Sequence, residues 1–283
     1  MAERLFLSLP GDRRPGPETG TTPAMMPPLA VPPDLRGIVG QALSYREDLP
    51  TGRAVWERVL PDGAARIVVD LSQPATLPRI AVVGPRTTAE LVRLSGRMEG
   101  LSLTLAPVAV RALLGVPVGE IAGRTLPLSE LWGAPAESLG ARLLEAPHER
   151  GRVDLLWAAL RARLACGDDR APPALLNAMK GVAERPPERV PDVAASLGLS
   201  ERRLQQLCRD HFGLSPRSLR QLHRFHRLLR ALRSIARPDW APLALDHGYC
   251  DQAHLVREFR RFTGLTPTAY RRRAVSGSSK TTS

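Results

Sequence analysis

The sequence predicts an α+β protein of two domains: a small β unit followed by helices, then an all-α tandem helix-turn-helix domain. Residues 190–220 and 240–271 repeat one another. Short β-type runs between turn signals fill residues 34–107. Charge divides the chain, since residues 174–273 carry 19 Lys+Arg against 9 Asp+Glu and residues 1–173 carry 20 against 19. With 283 residues and 43% hydrophobic content, two ordinary cores can be built.

Residues 1–33 hold eight prolines among small and polar residues, a composition that predicts a disordered tail. A sensing or dimerisation domain is expected over 34–166. Its strand runs are Ala54 to Val59, Arg66 to Leu71, Ile80 to Val83 and Leu101 to Leu105, with Leu60-Pro61-Asp62-Gly63 and Gly84-Pro85 as turns. Such spacing suggests a small sheet or barrel. After Pro107, apolar residues recur at three- and four-residue spacing, predicting helices over Val108 to Leu114, Pro117 to Ile121, Leu128 to Trp132, Pro135 to Leu144 and Arg150 to Cys166. Residues 167–173 read as a linker, 174–274 as the basic repeat domain opening on a helix from Ala174, and 275–283 as a disordered polar tail.

Within the repeat, Ala194, Gly198, Leu199 and Ser200 answer to Ala244, Gly248, Tyr249 and Asp251, with Cys250 as one extra turn residue. Beyond it Leu204, Cys208, Gly213, Leu214, Pro216 and Leu219 answer to Leu255, Phe259, Gly264, Leu265, Pro267 and Tyr270. The small Ala lets two helices cross closely, and Gly tolerates the positive φ of a tight inter-helix turn. Ser200 and Asp251 stand at N-cap positions. Leu204 with Cys208, and Leu255 with Phe259, form an inward stripe in each copy.

The opposite face carries the chemistry. Arg202, Gln206 and Arg209, with Gln205 beside them, lie outward on the first helix; Gln252, Ala253, Val256, Arg257 and Arg260 are their counterparts on the second. Arg pairs bidentately with guanine and Gln with adenine in a major groove, and Ala or Val can meet a thymine methyl. Between the copies, Ser215-Pro216 opens a helix to about Ser234, roughly 28 Å long at 1.5 Å per residue. Arg217, Arg220, Arg224, Arg227 and Arg230 decorate it and suit phosphate contacts. His223 and His226 read as surface or packing groups, and Cys208 and Cys250 as small apolar fillers. Trp132, Trp157 and Trp240 read as core anchors, and Asp251 as a cap rather than a catalytic acid.

The run from Gly248 to Arg271, GYCDQAHLVREFRRFTGLTPTAYR, resembles the signature of AraC/XylS-type transcription regulators, a likeness covering roughly residues 175–273. It implies two homeodomain-like helix-turn-helix units that enter adjacent major grooves of promoter or operator DNA. It further implies base-reading places at Arg202, Gln206, Gln252, Ala253 and Arg257 and a place near the backbone at His254; from their basic side chains, Arg203, Arg217, Arg224, Arg260 and Arg261 are the other expected backbone contacts. Cys208, Leu219, Leu228 and Leu255 depart from the family's usual Phe, Tyr, Ala and Phe, all at packing positions. The first half is similar to the cupin-like β unit often placed ahead of such domains, through Leu60-Pro61-Asp62-Gly63, Val83-Gly84-Pro85 and Leu126 to Gly133. Pro107-Val108 replaces that unit's usual Pro-Gly. The implied partners are double-stranded DNA and RNA polymerase, with a small-molecule effector or a second copy of the chain for the N-terminal domain.

Other classes fare worse. No His or Cys precedes His148, so the β unit lacks imidazole or thiolate metal ligands and any cysteine-based acceptor; no metal, no cofactor and no enzymatic activity are expected. An architectural DNA binder needs phosphate contacts alone, whereas Gln205, Gln206 and Gln252 suit base reading. Three scattered cysteines, without CxxC spacing, fit a reducing compartment and a cytoplasmic protein. The start is too short in apolar residues for a signal peptide, and no membrane partner is expected.

Overall fold

A computed structural model describes residues 3–7, 16–17, 26–72, 79–166, 170–184 and 190–278. The described residues include nine strands, the last of them after the second helix: β1 (Glu3–Leu7), β2 (Gly16–Pro17), β3 (Val39–Asp48), β4 (Ala54–Val59), β5 (Arg66–Asp70), β6 (Ile80–Val83), β7 (Glu90–Ser95), β8 (Arg97–Leu105) and β9 (Thr125–Pro127). They form a five-stranded antiparallel sheet in the order β3-β8-β5-β6-β9 and a four-stranded sheet in the order β2-β1-β4-β7, with β1 parallel to β4. Helices α1 (Pro107–Leu114), α2 (Val118–Ile121), α3 (Ser129–Trp132), α4 (Ala134–Glu145) and α5 (Glu149–Ala165) complete the N-terminal domain. The C-terminal domain is all helical: α6 (Pro173–Glu184), α7 (Val190–Ser196), α8 (Glu201–Phe212), α9 (Pro216–Ser234), α10 (Trp240–Asp246), α11 (Gln252–Thr263) and α12 (Pro267–Ser278).

Residues Ala54–Val59 and Ile80–Val83 are strands at the bounds their sequence predicts. The five-stranded sheet buries Ile67, Val69, Ile80, Val82, Leu101 and Leu103 in one core with Leu113, Leu114, Leu143, Trp157 and Leu160 of the helices. Strand β8 is longer than its apolar run, because Arg97, Met98 and Glu99 pair with Asp48, Glu47 and Arg46 of β3. Apart from the buried Met98, those β3 and β8 residues are charged and exposed or half-buried, which hides the strand from a hydrophobic pattern.

Of residues 1–33, expected from composition as a structureless tail, residues 1–2, 8–15 and 18–25 lie outside the described residues, and part of the remainder is ordered. Glu3–Leu7 is a strand, and Leu5 and Leu7 are fully buried. Next to Leu5, Arg4, also buried, donates from Nε to Glu57 Oε2 at 2.6 Å and from Nη1 to Glu47 Oε1 at 2.7 Å. Burying two leucines and pairing the charge offset the cost of ordering five residues, which an average over 33 residues conceals. Pro27 and Leu29 bond along β3 as well, through Ser44 N to Pro27 O and Leu29 N to Ala42 O. Of the linker at 167–173, residues 167–169 lie outside the described residues, and Ala171 is buried and donates to Val108 O. The expected tail at 275–283 is helical to Ser278, and 279–283 lie outside the described residues.

The second core contains both helix-turn-helix units, α6 and α9, and it also takes in Leu5, Leu7 and Leu60 of the N-terminal domain. The turn at 60–63 is therefore seated on α9. His226, 2% exposed, bonds through Nε2 to Pro61 O at 2.9 Å, and its Nδ1 meets no partner among the described residues. His226 is thus the packing group that the sequence allowed, a neutral donor at a domain contact, and not a surface group.

Burial pushes the His226 imidazole down to about 4 from its ordinary 6.5, against a smaller upward pull from the Pro61 carbonyl; His223 and Arg230 add to the lowering and Asp62 opposes it. The unfolded chain takes up a proton near pH 6.5 and the folded one only near 4, so this contribution is complete above 6.5 and is lost as pH falls through that window. His226→Gln keeps a donor for Pro61 without the titration. Denaturant unfolding at pH 7 and pH 4.5 should show the variant losing less stability than the parent, by a margin on the order of 2–3 kcal/mol.

Candidate nucleic-acid interface

The two helix-turn-helix units are built by the same bonds. Leu199 N donates to Ala194 O and Tyr249 N to Ala244 O, each at 2.9 Å, closing the turn after α7 and after α10. Gly198 and Gly248 sit at φ of 65° and 78° within these turns, where a side chain would strain the backbone. Ser200 Oγ accepts from Arg203 N at 3.2 Å and Asp251 Oδ1 from His254 N at 2.6 Å, so both residues cap the helices as their positions predict. Gly213 and Gly264 end α8 and α11 in the left-handed region, bonding to Arg209 O and Arg260 O at 3.0 and 2.8 Å.

Between cap and stop, each helix turns its apolar row inward. Leu204, Cys208, Leu255 and Phe259 are completely buried. Phe259 meets Phe225 of α9 edge-on at 5.3 Å and Tyr270 of α12 at 5.4 Å between ring centroids. The outward set is brought together as the spacing implies: Arg202, Arg203, Gln205, Gln206 and Arg209 on α8, and Gln252, Ala253, Arg257, Arg260 and Arg261 on α11, are all exposed. Val256 is half-buried at the edge of its face. Gln206 donates to Asp210 at 2.8 Å, one turn along. Arg217 and Arg230 of α9 are exposed, and Arg220 and Arg227 are half-buried.

Arg224 is a correction. It does not stand free for phosphate: Nε and Nη2 bond Glu258 at 3.1 and 2.6 Å, Nη1 bonds Gly248 O at 2.8 Å, and the guanidinium lies 4.3 Å from the Tyr249 ring. One side chain of α9 thereby grips the second turn and α11 together. Glu258 is 5% exposed, and His254 and Arg261 stand 3.9 and 4.0 Å from it. His254 is half-buried, with Nδ1 accepting from Cys250 N at 3.3 Å and its ring edge-on to Tyr249 at 5.4 Å. It fixes the extra turn residue of the second copy. Arg261 donates to Gln221 at 3.0 Å.

Sequence reasoning missed Glu258 and Arg271. Arg271 bonds the carbonyls of Leu232, Ile235 and Ala236, satisfying the open C-terminal end of α9. The signal for Glu258 was available: a carboxylate between Phe259 and the outward arginines, at the place where the first copy has Leu207, stands on an otherwise inward position. Among the described residues, no group of three or more His, Cys, Asp or Glu is placed to hold a metal ion, and no helix is long and apolar enough to cross a membrane.

A family model described as a helix-turn-helix domain matches residues 193–273, and one described as a domain of unknown function (DUF6597) matches residues 29–127. No curated protein matches. Among solved structures, ToxT from Vibrio cholerae is similar at 12% identity over 82% of this chain and 98% of that one, with a TM-score of 0.39. Unsaturated fatty acid-bound ToxT from strain SCE256 of the same organism is 12% identical over 81% of this chain and 94% of that one, with a TM-score of 0.40.

Two outcomes follow from this geometry. Arg224→Ala leaves Glu258 buried without its main partner and should lower stability by about 3 kcal/mol in denaturant unfolding, with a larger loss than Arg217→Ala at an exposed site. Burial also pushes the Cys208 thiol up to about 12, with Met179 Sδ 3.5 Å from its sulfur, whereas Cys166 and Cys250 are exposed. A thiol reagent should titrate two cysteines in the native protein and the third only after denaturation.

Proposed function

We propose that this chain, whose C-terminal region is an AraC-type helix-turn-helix domain, regulates transcription by sequence-specific binding to promoter or operator DNA. The observation that carries the reading is the duplication of one capped geometry: two helices with the same turn, cap and stop, each turning an exposed polar row outward. Helix α9, 19 residues and about 28 Å long, joins them, a length that can hold two recognition helices near one DNA turn of about 34 Å apart.

Base contacts fall to Arg202, Gln205, Gln206 and Arg209 in one groove and to Gln252, Ala253, Val256 and Arg257 in the next. Arg203, Arg217, Arg260 and Arg261 meet phosphates, and His254 lies near the backbone. The glutamines favour a base-reading role, since they add little to electrostatic attraction and carry the donor–acceptor pair that adenine matches. The net +10 of residues 174–273 supplies the sequence-independent part of the affinity through counterion release. The N-terminal domain is the place for an effector or a second copy of the chain, and RNA polymerase is the further partner of a promoter-bound regulator.

Selection of binding sites from a random DNA pool at physiological salt, followed by footprinting, tests this reading. Protection on two successive major-groove turns over a recurrent sequence is the expected result; featureless protection that vanishes with modest salt would make the protein an architectural binder. On the selected site, Arg257→Ala should cost about 1–3 kcal/mol and relax preference in one half-site only. Arg217→Ala should weaken all sequences alike and reduce the salt slope by about 1.

A further inference from the structure

Both recognition helices end against the N-terminal domain. At the end of α8, a Cβ on Gly213 would stand 2.7 Å from Pro85 Cγ and 3.0 Å from Val118 Cγ1, and one on Gly119 of α2 would stand 3.3 Å from Arg209 O. Asp210 of α8 faces Arg111 of α1 at 3.7 Å. At the end of α11, Ala89 N donates to Phe262 O at 2.7 Å and Arg58 Nη1 to Thr263 O at 3.0 Å. A Cβ on Gly264 would stand 2.7 Å from that same Arg58 nitrogen. Arg58 is itself held by Glu3 through Nε at 2.6 Å, and Glu3 also pairs with Arg273 of α12.

These contacts are more specific than apolar docking. The last turn of a helix leaves carbonyls that need donors, and for α11 two of those donors come from β4 and the segment before β7. Equivalent stop glycines in the two copies allow equivalent close approaches. Helix α9 holds the second unit through Arg224 and Phe225, and the connection from α9 to α10, residues 235–239, is not helical. The N-terminal domain adds a second, independent link between the units, gripping α8 and α11 at the ends opposite the N-terminal turns that carry Arg202 and Gln252.

We infer that the N-terminal domain is a brace that sets the spacing of the two recognition helices, with Arg58 and Gly119 as positioning residues for half-site spacing. This rests on the sequence-specific reading above. A brace restricts which operators are accepted, since inserting one base pair between half-sites moves the second by about 3.4 Å and turns it by about 35°. Removing either end lets the units shift to follow.

The experiment uses the full chain and its variants Arg58→Ala and Gly119→Leu, on the selected site and on versions with one base pair inserted or deleted between half-sites. Thermal melting first establishes that each variant is folded at the assay temperature, and Gly119→Leu serves if loss of the Glu3 pairing unfolds Arg58→Ala. The parent should lose about tenfold in affinity on each altered site, the size of one lost base contact, and a folded variant less than about threefold. Arg58→Lys, which keeps one donor for Thr263 O, should recover part of the discrimination. A folded variant with the parent's full spacing preference, or a parent that accepts altered spacing freely, overturns the brace. A parent that selects no recurrent sequence instead overturns the reading on which it rests.

Discussion

Everything in this molecule is hung on the burial of α9. Its row of Leu219, Leu222, Phe225, Leu228, Leu229 and Leu232 is at most 6% exposed, and no single neighbour covers it. Phe225 alone meets Phe259 and Phe262 of the second unit, α6 packs along the helix and α8 joins it from the first unit. Leu60 and the Pro61 carbonyl close it from the β domain. So wide an apolar arc must be covered along its length, so the two helix-turn-helix units and the N-terminal domain share it, while the Arg217 and Arg230 side stays exposed. The relative placement of the three is a consequence of that shared core.

The charges of the C-terminal domain are sorted by the same constraint. Arginines on the outer arcs of α8 and α11 stay in solvent, while those at junctions are spent on structure: Arg224 on Glu258 and Gly248, and Arg271 on the end of α9. The net +10 is therefore not all available to DNA. The two copies also differ in how their turns are secured. The second has a buried carboxylate at 258 that draws in Arg224, His254 and Arg261, whereas the first has Leu207, which packs against the core. An ionic junction is directional and an apolar one is not, so the second recognition helix is held in angle by hydrogen bonds and the first mainly by packing.

Much of this was legible in the sequence wherever one local rule decided the outcome. Caps at Ser200 and Asp251, turns at Gly198 and Gly248, and the 19-residue α9 follow from residue types at fixed spacing, and the structure places them there. The strands at 54–59 and 80–83 were legible because their apolar runs are bounded by Pro and Gly. What was hidden depended on partners distant in the chain. Glu3–Leu7 is a strand because β4, about fifty residues away, supplies an edge and Glu57, and β3 of the other sheet supplies Glu47. Arg224 looked free because its partner lies 34 residues on. For His226 surface and packing readings stayed open because the carbonyl that it bonds is 165 residues back. The outward rows on α8 and α11 are the same in sequence and structure, since exposure there needs nothing from elsewhere.

The distribution of contacts also bears on how a signal could travel. If the β domain touched the helical domain only through the apolar face of α9, a change within it would alter stability without changing geometry at the DNA-facing rows. The contacts at the ends of α8 and α11 are of another kind, because they act on the axes of the two helices. Arg58 lies on β4, which pairs with β1 on one side and β7 on the other, and Ala89 immediately precedes β7, so a shift of this sheet moves both donors to α11 at once. Gly119 lies on α2, whose Val118 and Ile121 are buried in the core of the other sheet. The two recognition helices therefore contact elements of two different sheets, so under the brace inferred above a movement of one sheet against the other would change their spacing.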